Sequence, residues 1–571
     1  MLRHMPPARL RTILLMVAVA AVAPQAASAQ IVWPDEGPAT WAPRPTEPGI
    51  TANDLRTHVY QLAADSMMGR QAATRGNSMA TDYIASVFER LGLQPAGEDG
   101  YFQELELGPL EFDRDSMRLV VQGRRLEPGV GWAPYPPTSQ VGIAGNFSAQ
   151  DMGTVFGGDW NGGVTSLSAD AMRGKIVVFV VPEPDVAQAR GLSMALRIRD
   201  TPLDSGGAAA VFVVFPMALP ANALEGRFGL AAEVAGTPVA QLTREAASGL
   251  FAQPLDGLSV GTTGRTVSAH WRYVYRRPEY PARNVIAVLP GSDPALRGQY
   301  VLVGAHNDHV GTLEGEPVDH DALRAYNRVM RPQGANDRPG PPSAAQQARI
   351  DSLTAYARSI RPPRADSVMN GADDDASGTA VLLDIAERFA TAPPPRRSIV
   401  FISHNAEEGG LLGSRYFTQN PTVPLDSIVA AHNMDMLGKG RVTDVKFGGP
   451  SQVQMLGARR LSSDFGDVID SLNAVREETM AIDYSWDRTN ALNRFCRSDQ
   501  VNYFRQTIPV TYFSTGYSLD YHQPTDEPQY VDYEHSARVG RFVYDIMRTI
   551  ADRPERLRVL PLEERDMSAQ C

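Results

Sequence analysis

The amino-acid sequence predicts an α/β domain preceded by a separate β-rich module, and three observations carry that expectation. Residues 271–553 alternate apolar strand-type runs with helical patterning, as α/β domains do. Residues 113–270 change texture to short β runs broken by Gly and Pro. Within the later region, residues 370–378 read N-G-A-D-D-D-A-S-G. Three adjacent carboxylates gain nothing by packing together, and their repulsion calls for a compensating positive charge. No Lys or Arg lies in the stretch, so a divalent cation is the economical partner.

At 571 residues the chain is too long for one ordinary core, and two or three domains are expected. A hydrophobic content of 43% with 21% charged residues describes a soluble globular protein. The net charge of −11, without any Lys/Arg-rich run, argues against nucleic acid as a partner. Residues 1–29 read as a signal peptide: Arg3, Arg9 and Arg11 precede an apolar run at 13–23, and Ala27-Ser28-Ala29 offers a cleavage site. The run is shorter than the roughly 20 residues a membrane span needs. Export to the periplasm or the medium is therefore expected, with no membrane span after cleavage. Two cysteines, Cys496 and Cys571, do not make a disulfide framework, and their pairing stays open.

In order, 30–50 is a Pro-rich extended lead-in. Residues 51–112 carry two helices, one after Thr51 or Asn53 and one at about 78–91 closed by Gly92; both are expected to pack on a later sheet. The β-rich module at 113–270 holds buried-type strands at 175–181, 210–215 and 238–242. Through R-G-K-I-V-V-F at 173–179, G-G-A-A-A-V-F-V-V-F at 206–215 and T-P-V-A-Q-L at 237–242 it resembles the protease-associated domain. In 271–553, strands are expected at 284–289, 300–304, 398–403, 428–431 and 510–513, with a helix at 379–390. A long Pro-rich connection, 314–369, contains a helix-competent stretch at 343–360 and is read as a possible lid. Residues 554–571 form a tail.

Ligand-type residues gather where strands end, which is where sites collect in open α/β sheets. His306, Asp308 and His309 end one strand and Glu407 and Glu408 follow another; Asp435 and His522 follow two more. Any one of these alone is ordinary, since a His after a strand is most often a hydrogen-bonded core residue. Their convergence in one region is not. His309, His404 and His432 are read as structural, His320 as lid or surface, and R-S-D at 497–499 as pocket wall.

The set H-x-D, G-A-D-D-D-A-S-G, A-E-E-G, M-D-M and Y-H-x-P-x-D resembles the exported co-catalytic dizinc aminopeptidases, relatives of glutamate carboxypeptidase and glutaminyl cyclase. The resemblance implies a three-layer catalytic domain of the phosphorylase/hydrolase-like kind with a mixed sheet, two zinc ions, and peptide or protein N-termini as substrate. It makes Asp374 the bridging carboxylate, a choice among Asp373, Asp374 and Asp375 that charge alone leaves open. It places His306 and Asp435 on one zinc and Glu408 and His522 on the other. Glu407 becomes the general base and Asp308 the group that orients His306. The chemistry suits those roles: zinc takes N and O donors, a bridging carboxylate pairs two ions, and a base must stand beside the water without being a ligand. The alternatives are a carboxypeptidase of the same fold, a one-zinc glutaminyl-cyclase-like acyltransferase, and a peptidase-like binding protein without catalysis.

Overall fold

The computed structural model describes residues 31–135, 146–160, 165–182, 203, 206–231, 237–440, 442–488 and 492–565. The expected signal peptide and Cys571 lie outside them. Among the described residues no helix is long and apolar enough to cross a membrane.

The main sheet has nine strands, and its centre is four parallel ones in the order Ser398–His404, Tyr300–His306, Ile428–Met434, Val510–Ser514. Arg283–Leu289 adds antiparallel at one side and Gln452–Leu456 at the other, so the sheet is mixed. Strand alternation sends successive residues to opposite faces. Val301, Val303, Ile399 and Phe401 face one core with the helices Ala52–Leu62, Arg75–Arg90, Gly378–Thr391 and Tyr533–Asp552. Leu302, Val400 and Ile402 face a second core with Phe417, Val501 and Tyr503. Helices thus cover both faces of a sheet whose central strands are apolar throughout, as parallel strands must be. The expected strands at 300–304 and 428–431 run on to His306 and Met434, which carries their ends to the site.

A second, eight-stranded sheet runs from Arg118–Val121 to Thr263–Trp271 in sequence. Its centre places Ile176–Val180 parallel to Ala210–Phe215, which lies parallel to Val239–Thr243. It has its own apolar clusters, with Ile176 and Val178 on one face and Val177 and Phe179 on the other.

The helix expected at 343–360 forms as Ala344–Ile360, with Ser343 and Gln346 making a reciprocal capping box. Its apolar stripe is not among the residues that line the cleft described below. Ile350 and Ala357 instead pack with Ala325 and Met330, Tyr530, and Val32 and Trp33 of the lead-in. Burying that stripe against the lead-in removes it from reach of the cleft. The connection becomes a buttress: His320 contacts Asp366 at 2.8 Å and Tyr530 at 3.1 Å, tying it to the loop that carries His522.

One buried contact between the helices gives the fold a pH dependence. Asp384, on Gly378–Thr391, lies 3.3 Å from His58 on Ala52–Leu62, and burial pushes its carboxyl up to about 7. The native form therefore holds this proton more tightly than the unfolded chain. The associated stability is complete below about pH 4 and is lost as pH rises through about 7. Asp384→Asn, always neutral, should remove that decline. Urea unfolding at pH 5 and pH 8 should show the variant gaining on the wild type at the higher pH; parallel profiles would contradict the assignment.

Candidate active site

Each central parallel strand delivers ligand-type side chains to one cleft floor at its carboxyl end. His306 is the last residue of its strand; Glu407 and Glu408 follow the turn after Ser398–His404. Asp435 follows Ile428–Met434, and His522 sits in the loop beyond Val510–Ser514. Asp374 comes from the turn leading into Gly378–Thr391. Ala406, Met436 and His522 adopt left-handed backbone, with φ of 55°, 64° and 53°. For non-glycine residues this costs of order 1–3 kcal/mol each and is held by surrounding structure, typically at functional sites.

The two oxygens of Asp374 face different imidazoles. Oδ1 lies 3.2 Å from His306 Nε2, and Oδ2 lies 3.1 Å from His522 Nε2. His306 Nε2 is 3.8 Å from Asp435 Oδ1, and His522 Nε2 is 3.1 Å from Glu408 Oε2. Neither ring nitrogen has a hydrogen-bond partner. Orphaned imidazole nitrogens facing carboxylate oxygens in a buried cleft are a donor set that zinc accepts, so these residues fit the metal. Of three donor groups among the described residues, two hold these ligand-type side chains, His306 with Asp375 and Asp435, and His309 with Asp374, Glu408 and His522; the third is His320 with Asp366 and Glu527.

The neighbouring aspartates have other work. Asp375 accepts the backbone amides of His306, Gly378 and Met436, and Asp373 accepts that of Gly438. Burial holds both of their carboxyls well above the usual carboxylate range. Asp374 differs: against burial, His306 and His522 hold it well below that range.

Asp308 meets His306 through its main chain. Its carbonyl lies 3.2 Å from His306 Nδ1, whereas its carboxylate stands 3.7 Å away and accepts the amides of Glu407 (3.0 Å) and Glu408 (3.3 Å). Glu407 lines a cleft of about 750 Å³ with Asp374, Glu408, Asp435 and His522. Burial, with the nearby charge of Glu408, raises its carboxyl well above the ordinary value. Arg497 lines the same cleft, while Asp499 is buried and pushed up to about 7.

His404 and His432 do have structural partners, Tyr503 at 3.1 Å and Thr511 at 2.6 Å, and burial pushes both rings down to about 3. His309 instead faces a carboxylate, Glu408 Oε1 at 2.9 Å, and sits inside the His522 donor group. Three further residues escaped the sequence. Arg70 is fully buried and donates to the carbonyls of Leu62, Asn307, Asn370 and Gly371, tying the His306 loop to the Asp374 loop. Asp526 accepts the amides of Asp373 and Asp374, and Lys439 stands 3.7 Å from it. Asp526 ends the Y-H-x-P-x-D motif, which was a usable signal; Arg70 and Lys439 carry no local one.

The sequence model of Peptidase family M28 matches residues 284–547, the segment that holds every one of these ligand-type residues. Over residues 284–547 the chain is thus similar to Peptidase family M28. Aminopeptidase NAALADL1 of Mus musculus is 44% identical over 77 residues, 12% of this chain and 10% of its own length. A probable zinc metalloprotease of Pyrenophora tritici-repentis is 40% identical over 74 residues, 13% of this chain and 17% of its own. The matched stretches thus span under a fifth of these curated relatives. Among solved structures, the aminopeptidase from Aneurinibacillus sp. strain AM-1 is 16% identical, with a TM-score of 0.41, over 90% of this chain and 97% of that one.

Arg70 lies outside the M28 segment yet pins two of its loops. Arg70→Met keeps much of the bulk and removes every donor. Stranding buried carbonyls and removing a buried fixed cation from the acidic floor should lower unfolding free energy by roughly 3–5 kcal/mol. Denaturant titration and zinc content measure this; unchanged stability and metal retention would contradict it.

Proposed function

We propose that this protein is an exported zinc-dependent exopeptidase that removes N-terminal residues from peptides, using two zinc ions and Glu407 as general base. The observation that supports it most is Asp374 set between His306 and His522, one oxygen toward each. His306 and Asp435 would hold one ion, Glu408 and His522 the other, and Asp374 both. Bound there, two zinc ions would polarise the scissile carbonyl and make a water acidic enough to attack near neutral pH. Glu407 takes the proton from that water and returns it to the leaving amine. Asp308 supports this division of labour by holding the amides of both glutamates, so that adjacent carboxylates aim differently. The name of the mouse relative favours N-terminal cleavage. Residues 1–29 would direct export, and the sheet between 118 and 271 would be the protease-associated module.

Arg415, Arg497 and Arg505 line the same cleft, and this favours a second reading, a carboxypeptidase that recognises a substrate's terminal carboxylate. Dipeptides with free or amidated carboxyl ends separate the two, since an aminopeptidase tolerates the amide. A one-zinc acyltransferase accords less well with two donor groups, and a non-catalytic binder less well with a full ligand set.

The adjacent glutamates carry the test. Glu407→Gln keeps size and loses proton transfer, so kcat should fall by on the order of 10²–10⁴ while zinc content stays at wild-type level. Glu408→Gln replaces a charged donor and should lose zinc, with activity partly restored by excess metal. A reversed pattern would exchange the roles; two active variants would end the mechanism.

A further inference from the structure

We propose that His309 is a fourth protein donor to the ion position formed by Asp374, Glu408 and His522, so that the two positions are unequal. The inference rests on the dizinc reading above and concerns a residue outside the ligands it names. His309 is fully buried, with its Nδ1 2.9 Å from Glu408 Oε1 and 3.8 Å from Asp374 Oδ2. Its ring meets His522 edge-on, with centroids 5.3 Å apart. Neither of its nitrogens makes an aligned hydrogen bond. That sets it apart from the other buried histidines beyond the ligand set. His404 and His432 each engage a hydroxyl, and His320 engages a carboxylate and a hydroxyl. A buried imidazole whose nearest polar neighbours are carboxylates it does not meet in hydrogen-bond alignment is costly unless something else takes its lone pair.

The spacing suits coordination. Zinc bonds of about 2.0–2.2 Å place the corners of a tetrahedral site roughly 3.3–3.5 Å apart. His309 Nδ1 lies 2.9 Å from Glu408 Oε1 and 3.8 Å from Asp374 Oδ2, and His522 Nε2 lies 3.1 Å from Asp374 Oδ2 and from Glu408 Oε2; these separations bracket that value, with Glu408 turning one oxygen to each ring. The backbone is arranged to admit the ring. Gly371 has φ of 58°, and a Cβ there would fall 2.5 Å from His309 Cγ and 2.3 Å from the Asp374 carbonyl. Only glycine lets the ring and the Asp374 turn share this space. The opposite position has three protein donors, His306, Asp374 and Asp435. Four donors complete a tetrahedral shell and three leave a place open, so the His309 side should bind its ion more tightly.

The bland alternative is that His309 only steadies Glu408. Full-length protein stripped with chelator and reloaded separates the two readings by zinc calorimetry and by the visible absorption of the cobalt(II) form. His309→Ala should weaken the tighter site by more than the roughly 10–100-fold that loss of an outer partner costs, and should change the cobalt spectrum. His309→Phe, which keeps a ring and removes both nitrogens, should do the same and decides the matter if the alanine variant does not fold. A wild-type cobalt spectrum in the folded variants overturns the proposal, whatever the affinity. Wild-type protein holding a single ion overturns the dizinc reading instead, and this inference with it.

Discussion

The cleft floor depends on neutralising buried negative charge. Asp308, Asp373, Asp374, Asp375, Asp435 and Asp526 are all buried there, with Glu407 beside them. Taking one ionised carboxylate out of water costs several kcal/mol, and a group of them cannot all stay charged without cations at hand. The fold supplies two fixed ones, Arg70 and Lys439, both buried. Backbone amides take part of the remainder, as at Asp375 and Asp526. The remaining negative charge, on Asp374, Asp435 and the glutamates, is concentrated around the imidazoles of His306, His309 and His522. Two divalent ions are the compensation that this distribution accommodates.

The rest of the architecture serves that floor. Parallel neighbours place strand ends side by side, so residues far apart in sequence meet within a few ångströms: His306 and His404 are in register, as are Met434 and Phe513. Left-handed residues after three of these strands turn the chain sharply where the ligands sit. The lead-in and the long connection brace the loop bearing His522. Its 31% side-chain exposure makes His522 the most open of the five proposed ligands.

The ligand set was legible because each member follows an apolar strand and sits among small residues, where a charged group has no packing reason to be. The strand cores were legible for the same reason, their apolar runs being nearly uninterrupted. What was not legible depended on long-range contact. Arg70 acts on a carbonyl 300 residues away, and nothing near it in sequence distinguishes it from other arginines. The stripe Ile350–Ala357 announced a buried face but not that Trp33 would cover it. His309 and His432 look alike as strand-end histidines; the carboxylate of Glu408 beside one and the hydroxyl of Thr511 beside the other separate them. Asp308 was assigned by its carboxylate, while its carbonyl reaches His306, a choice that only backbone geometry reveals.

The most direct measurement is anomalous diffraction from crystals of zinc-loaded protein, recorded on both sides of the zinc absorption edge. This account predicts two peaks roughly 3.5–4 Å apart. One should lie between His306, Asp374 and Asp435, the other between Asp374, Glu408 and His522, with Asp374 touching both. A single peak, or two peaks with Asp374 bound to only one, would contradict it.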